Sequence, residues 1–531
     1  MAEYDADVIV VGAGGLGSAV AVTLAKAGKS VIMLEAGPDI PNWKVIQNWQ
    51  SAARKDNWIE PYGDYPWAPN SFTQGYLNKD IDTLRWPGTI RAVGGTSRHW
   101  TGITWRFLPE DFKLKSTHGV GRDWPIDYDD LEPFYTEAEY FIGVTGMDNV
   151  DQSGKHPGEA YPPRSKPYPM PPEAKPYAVQ RLQMRLASRG MQVLHAPNAR
   201  ASVNYDGRPA CIGNNICQTP ECPIGAKFSG RMAVDKAIAA GVELRSEAVV
   251  DKLQKDAAGK ITSLSYQKPD GSRQTLKAKT YVIAGHALET PKLLMMNGLA
   301  NRSDQLGRNL MVHPGFASFF QVDEPLWQGR GQYNHSIVVN FRAGDHRKTS
   351  ASFSMSPWNV NNTIDITALL LQNHRMIGSK LDEAIPHAVG HALMTLSILE
   401  DLPDPANRVS LNASWKDALG HPGLNFEYKV GAYTKACVPN IFSNAANIAQ
   451  AMGVTEPPFH EYFVTHGHLM GTTIMGDDPS SSVVDRNLRC HDHENLFLVT
   501  TGVYPTSTCV NPTLTGYALA FRAGHYVAEH A

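Results

Sequence analysis

Three cysteines fall within one short stretch, ACIGNNICQTPECPIGA, at Cys211, Cys217 and Cys222. The other three, Cys437, Cys490 and Cys509, lie far along the chain. Thiolates are strong metal ligands, so the question is what three of them would hold. A disulfide leaves one thiol unpaired. Structural zinc takes four ligands, normally in closely spaced cysteine pairs; here five and four residues intervene, and the stretch has no histidine. An iron–sulfur cluster suits thiolates on a glycine- and asparagine-bearing loop, whose N–H groups can reach the sulfides, and Cys222-Pro223 matches the Cys-Pro step of ferredoxin-type loops. Three thiolates match a cluster lacking one iron corner. A four-iron form needs a fourth ligand, Cys437 or a non-cysteine group.

A second constellation opens the chain: ADVIVVGAGGLGSAVAVTLAKAGKSVIMLEAG. A strand over Val8–Val11 runs into Gly12-x-Gly14-Gly15-x-Gly17, then an alanine-rich helix, then a second strand ending at Glu35. Gly12 permits a tight turn, Gly14 lets backbone approach a pyrophosphate, and Gly17 lets helix pack on sheet. The helix N-terminus offers N–H groups to phosphates, and Glu35 can accept hydrogen bonds from ribose hydroxyls. This pattern binds a dinucleotide; it does not by itself separate FAD from NAD.

Later segments must complete the scaffold. TYVIAG reads as a buried strand followed by a helix in LETPKLLMMNGL, and NLFLVTTG as a strand before a final loop and helix. Asp270-Gly271 marks a turn in a surface hairpin, and the proline-rich run Tyr161–Tyr177 an extended connection. The 531 residues carry a net charge of -3, which argues against a nucleic-acid partner. No apolar run approaches the roughly 20 residues that span a bilayer. The N-terminal MAEYDADVIVVGAGG has no basic n-region and no twin arginine, so the chain is expected to stay in the cytoplasm or to be exported with a partner that carries the signal.

VGGTSRHWTG, ALETPKLLMMNGL, GRNLMVHPG, HLMGTTIMGDD and VNPTLTGYALAFRAG follow in a characteristic order. With the N-terminal fingerprint, they resemble the glucose–methanol–choline (GMC) oxidoreductase family. YPWAPN, GVGRDWPIDYDDLEPFY, the cysteine stretch and TIMGDDPSSSVVD look closest to catalytic subunits of bacterial membrane-bound FAD-dependent sugar dehydrogenases of the glucose and fructose dehydrogenase type. The resemblance implies an α/β (α+β) chain. Its Rossmann-like FAD-binding domain would comprise 1–110, 200–320 and 455–531, and a discontinuous substrate domain built on a β-sheet would comprise 111–199 and 321–454.

It also implies site residues. His468, in His-x-x-Gly-Thr, would be the base that takes the hydroxyl proton, a task that suits an imidazole at neutral pH. Asn511, in Asn-Pro-x-x-Thr, would hold the substrate oxygen. Gly94, Gly95, Thr96, Ser97, His99, Trp100, Val249, Pro512 and Thr513 would contact FAD; Trp100 stands where the wider family usually has asparagine. Two departures mark the reacting end: Gly467 replaces an asparagine and Arg98 a tryptophan. Arg98 would grip a substrate carboxylate, as in gluconate or 2-ketogluconate, or else face an internal acid or the FAD phosphates. His466 and His313 are possible accessories. In the relatives the cysteine stretch holds a 3Fe-4S cluster, with one residue fewer between the last two cysteines. The resemblance further implies a small subunit carrying a Tat signal, a multi-haem cytochrome c subunit feeding quinone, and a periplasmic location on the inner membrane. The competing expectations are an FAD alcohol or sugar oxidase with a structural metal loop, and a non-catalytic flavin electron carrier.

Overall fold

Val8, Ile9 and Val10 are fully buried, and so are their neighbours on both sides in the sheet. A strand apolar on both faces suits the middle of a parallel sheet covered by helices. In the computed structural model, which describes residues 4–52, 59–79, 84–85, 88–217, 220–360, 363–372, 374–454, 456–465 and 467–530, Ala6–Val11 takes that central place. Ala278–Ile283 and Val31–Leu34 flank it, with Leu496–Leu498 and Glu243–Arg245 outermost, all parallel. The first helix, Gly15–Lys26, packs against the last, Thr513–His530. The approach depends on small residues: a Cβ on Gly516 or Gly524 would come within 3.1 Å of Leu16 and 2.9 Å of Thr23.

The expected surface hairpin is a three-stranded meander, Val249–Lys255, Ile261–Gln267 and Arg273–Leu276, with Gly271 turning at φ +83. A seven-stranded sheet forms the second layer, in the order Leu84–Arg85, Phe459–Thr465, Pro314–Gln321, Ala392–Leu399, Phe353–Trp358, Ser336–Val338, Val193–His195. Three of these strands, Leu84–Arg85, Pro314–Gln321 and Phe459–Thr465, come from intervals expected in the FAD-binding domain. The chain crosses between layers in mid-segment, because a strand can pair with either sheet where its flanking loops permit. The proline-rich run carries no regular element until the helix Tyr177–Ala187 begins. Among the described residues, no helix is long and apolar enough to cross a membrane.

Candidate active site

Glycines shape the first wall of the site. Gly12 has φ +107, and a Cβ there would lie 2.5 Å from the Ala284 carbonyl oxygen. A Cβ on Gly17 would lie 2.1 Å from the Gly12 carbonyl oxygen, so only glycine lets the helix sit this close to the turn. Gly14 is the N-cap of the first helix and lacks a side-chain cap, leaving N–H groups at the helix start for a bound anion. Gly94 N donates to the Ala13 carbonyl at 2.8 Å, and Gly14 bridges Gly94. The loop at Gly94–Trp100 is thereby laid directly on the fingerprint turn.

Glu35 follows its strand and accepts hydrogen bonds from Ala13 N and Gly37 N, each at 3.0 Å. Burial pushes its carboxyl up to about 7. A group poised between acid and anion suits hydrogen bonding to hydroxyls. His99 is buried, with Nε2 3.1 Å from the Gly88 carbonyl oxygen. Burial pulls its pKa down to about 3, so it is a neutral wall residue. Trp100 Nε1 donates to the Phe228 carbonyl at 2.7 Å.

His468 and Asn511 lie 43 residues apart in sequence, yet Asn511 Nδ2 sits 3.1 Å from His468 Nε2. His468 follows the strand Phe459–Thr465 of the large sheet, and Asn511 precedes the last helix of the nucleotide layer. The pair therefore forms where the two layers meet. His468 Nδ1 lies 2.9 Å from His313 Nδ1. Burial lowers the pKa of His468 to about 4, leaving a neutral imidazole able to accept a proton.

These groups line a cavity of about 340 Å³, far beyond the ~15 Å³ that one water needs. Gly12, Gly14, Gly15, Glu35, Gly95, Thr96, Ser97, His99, Trp100, Val249, His468, Asn511, Pro512 and Thr513 all face it. Gly17 and Gly94 shape the wall from behind; a Cβ on Gly94 would meet Arg231 N at 2.7 Å. The glycine turn, open helix N-terminus and Glu35 fit the dinucleotide half of FAD. Sequence reasoning missed a polar group on the same wall, Arg91, Glu289, Lys292 and His421, and the face made by Ser354, Ser356 and Trp358. The alternation in SFSMSPW was the available signal for that face.

Arg98 is not available to a substrate. It is fully buried, its Nε donates to Glu221 at 2.6 Å, and its two terminal nitrogens reach the Ile40 carbonyl at 2.9 Å and Asn42 Oδ1 at 2.8 Å. Of the expectations for Arg98, the substrate carboxylate and the FAD phosphates give way to the internal acid, because a buried guanidinium needs a buried acid. His466 lies outside the described residues.

The three clustered cysteines are free thiols, Cys217 buried and the other two half-buried. Arg200 Nη1 donates to Cys217 Sγ at 3.3 Å, and Gly213 N approaches Cys211 Sγ at 3.4 Å. Buried Lys227 donates to the Cys217 carbonyl at 2.9 Å and to the Trp100 carbonyl at 2.7 Å. Arg200 is also paired with buried Glu173, at 2.7 and 3.1 Å, so of the two buried cations it touches sulfur only with its remaining nitrogen, and Lys227 reaches backbone carbonyls. Among the described residues, no three His, Cys, Asp or Glu side chains converge as a metal site. The Arg200–Cys217 contact suits a thiolate, and the convergence of the three sulfurs is not part of this arrangement.

A parallel nucleotide sheet, a dinucleotide cradle and a neutral His–Asn pair in one cavity are the parts of a dinucleotide-dependent oxidoreductase. The GMC oxidoreductase patterns match residues 6–315 and 403–520, and the chain belongs to that family; it is an FAD-dependent oxidoreductase acting on CH–OH donors. It is 40% identical to the fructose dehydrogenase large subunit of Gluconobacter japonicus, over 98% of this chain and 97% of that one. It is 28% identical to 2-methyl-1,2-propanediol dehydrogenase of Mycolicibacterium austroafricanum, over 98% and 95%. The crystal structure of pyridoxine 4-oxidase from Mesorbium loti shares the fold at a TM-score of 0.66 and 17% identity, covering 99% of this chain and 100% of that one.

Proposed function

We propose that the chain is the catalytic subunit of a dehydrogenase that oxidises a secondary or anomeric hydroxyl of a sugar or polyol. The observation that carries this is the His468–Asn511 pair, 3.1 Å apart on the wall of the cofactor cavity. Asn511 holds the substrate oxygen through its amide. His468 Nε2 takes the hydroxyl proton as the carbinol carbon gives up its hydride. FAD, when bound, is the hydride acceptor. A neutral substrate is favoured, because Arg98 is spent on Glu221, Arg91 and Lys292 on the cavity wall face Glu289, and Ser356 stands beside Trp358 on the large-sheet face. The similarity to a protein named fructose dehydrogenase large subunit points the same way.

Cys211, Cys217 and Cys222 take a 3Fe-4S cluster in this reading, supported by their free thiols and by Arg200 and Lys227 beside them. The cluster supplies one-electron transfer when bound. A cluster has no use in an enzyme that hands electrons to oxygen, so the acceptor is a partner: a cytochrome c subunit feeding quinone, with a small Tat-bearing subunit, on the periplasmic face of the inner membrane. The relative's designation as a large subunit supports an assembly.

The test is a screen of fructose, glucose, sorbitol, gluconate and 2-ketogluconate with a dye acceptor and an oxygen electrode. Dye-linked turnover of a neutral sugar without peroxide is expected. Preference for the sugar acids overturns the substrate class, and peroxide at the rate of sugar oxidation favours the oxidase. Changing any of the three cysteines to serine should remove iron, acid-labile sulfide and the low-temperature EPR signal while leaving flavin reduction by substrate intact. Anaerobically prepared protein that lacks both iron and sulfide refutes the cluster.

A further inference from the structure

Just before the strand Pro314–Gln321, the chain 311–313 runs antiparallel to 468–470. Met311 and Met470 exchange two backbone hydrogen bonds of 2.9 Å. Thr465 N donates to the His313 carbonyl at 3.1 Å, and Pro314 pairs with Val464. His468 thus sits on a short loop clamped at both ends to the segment that carries His313. The two rings meet nearly at right angles, with centroids 4.9 Å apart at 79° and the Nδ1 atoms 2.9 Å apart. His313 is fully buried and does not line the cavity.

We propose that His313 is a positioning residue that fixes the tautomer and orientation of His468. This rests on His468 being the base. Two neutral imidazoles joined through Nδ1 share one proton: one ring donates and the other accepts. Asn511 Nδ2 approaches His468 Nε2, which makes Nε2 the acceptor and leaves the ring proton on Nδ1. His468 Nδ1–H then donates to His313 Nδ1, and His313 keeps its own proton on Nε2. The lone pair of His468 Nε2 thereby faces the Asn511 amide on the cavity wall, and a substrate hydroxyl takes the place of that N–H to reach the atom. When that atom takes the hydroxyl proton, His468 becomes a cation whose Nδ1–H still donates to a neutral acceptor. Without His313, the ring can turn or shift its proton to Nε2, a tautomer that cannot accept. A wrong tautomer removes general-base catalysis, worth roughly 100-fold or more.

The variants are His313→Leu and His313→Asn, the latter placing an amide oxygen where Nδ1 was. Each is prepared with FAD, and flavin content, rapid-reaction flavin reduction by substrate and its pH dependence are measured. His313→Leu should retain flavin, reduce it roughly 100-fold more slowly and shift the acid limb that reports His468; His313→Asn should recover most of the rate and the limb. His313→Leu within threefold of the parent with an unshifted limb overturns the proposal, as do equal losses in both variants, which mean packing alone. His468→Ala separates the premises. If it keeps full turnover, the assignment of the base fails; if it is inactive while His313→Leu is not, only the present inference fails.

Discussion

If burial keeps His468 neutral, the enzyme should work in acid where an ordinary histidine base is already protonated. His468 is held at about 4, against 6.5 for a solvated imidazole, and desolvation is the cause. At pH 5 a group titrating at 4 is about 90% neutral and one titrating at 6.5 about 3%, a ratio of roughly 30 in available base. kcat/KM reports the free enzyme, so its acid limb should fall near pH 4 to 5. His313, also held well below its usual range by burial, adds no limb at the usual histidine pH. The measurement is kcat/KM with a dye acceptor from pH 3.5 to 8, repeated as rapid flavin reduction without acceptor so that the dye's own protonation drops out. A limb between pH 6 and 7 in both experiments, absent from residual rates of His468→Ala, refutes the desolvation argument. Stability has its own sign. The unfolded chain binds these protons below about 6.5, while folded His468 binds its proton only near 4 and His313 well below its usual range, so both histidines lower stability as pH falls below about 6.5. Initial rates must therefore precede any unfolding.

Two structural predictions follow from the cradle and from Arg98. Gly17→Ala sets a Cβ 2.1 Å from the Gly12 carbonyl oxygen, so the helix must move off the turn and purified protein should lose bound flavin; full flavin content refutes the close-approach reading. Arg98→Met takes the guanidinium away from buried Glu221 and should cost about 3–5 kcal/mol in denaturant unfolding, with part regained by adding Glu221→Gln. KM for a neutral sugar should stay within about threefold in folded Arg98→Met protein, since Arg98 does not face the cavity. A stability unchanged by Arg98→Met refutes the ion-pair account.

The nucleotide layer was legible because its signals are local. Val8–Val11, the glycines and Glu35 follow one another within a single unit, and Gly17 is required by the Gly12 carbonyl within the same turn, although Gly12 and Gly15 are also crowded by the distant Ala284 and Tyr517. The partners of Arg98 and His468 were not legible. Glu221 is 123 residues from Arg98, and His313 is 155 from His468, so neither pairing leaves a periodicity. The large sheet escaped for the same reason. Its strands come from both expected domains, and which edge a strand joins is decided by packing.

The His468–Asn511 separation depends on how firmly the two layers are joined, since each residue belongs to a different one. Asn511 sits on a loop, which by itself is a poor place for a group that must be held to a fraction of an ångström. The loop is fastened from several directions. Trp124 Nε1 donates to Thr506 Oγ1 at 2.8 Å, Ser507 Oγ accepts from Asp401 N at 2.8 Å, and Ser354 Oγ, on the large sheet, donates to the Cys509 carbonyl at 2.8 Å. Tyr504 OH donates to the Pro512 carbonyl at 2.7 Å, on the far side of Asn511. Asn511 is thus held between anchors drawn from separate segments, while His468 is clamped through Met311, Met470 and Thr465. The catalytic loop behaves as part of the scaffold because its hydrogen bonds run outward into both layers. A loss of turnover on cutting the Ser354 anchor, with flavin retained, follows directly from that arrangement.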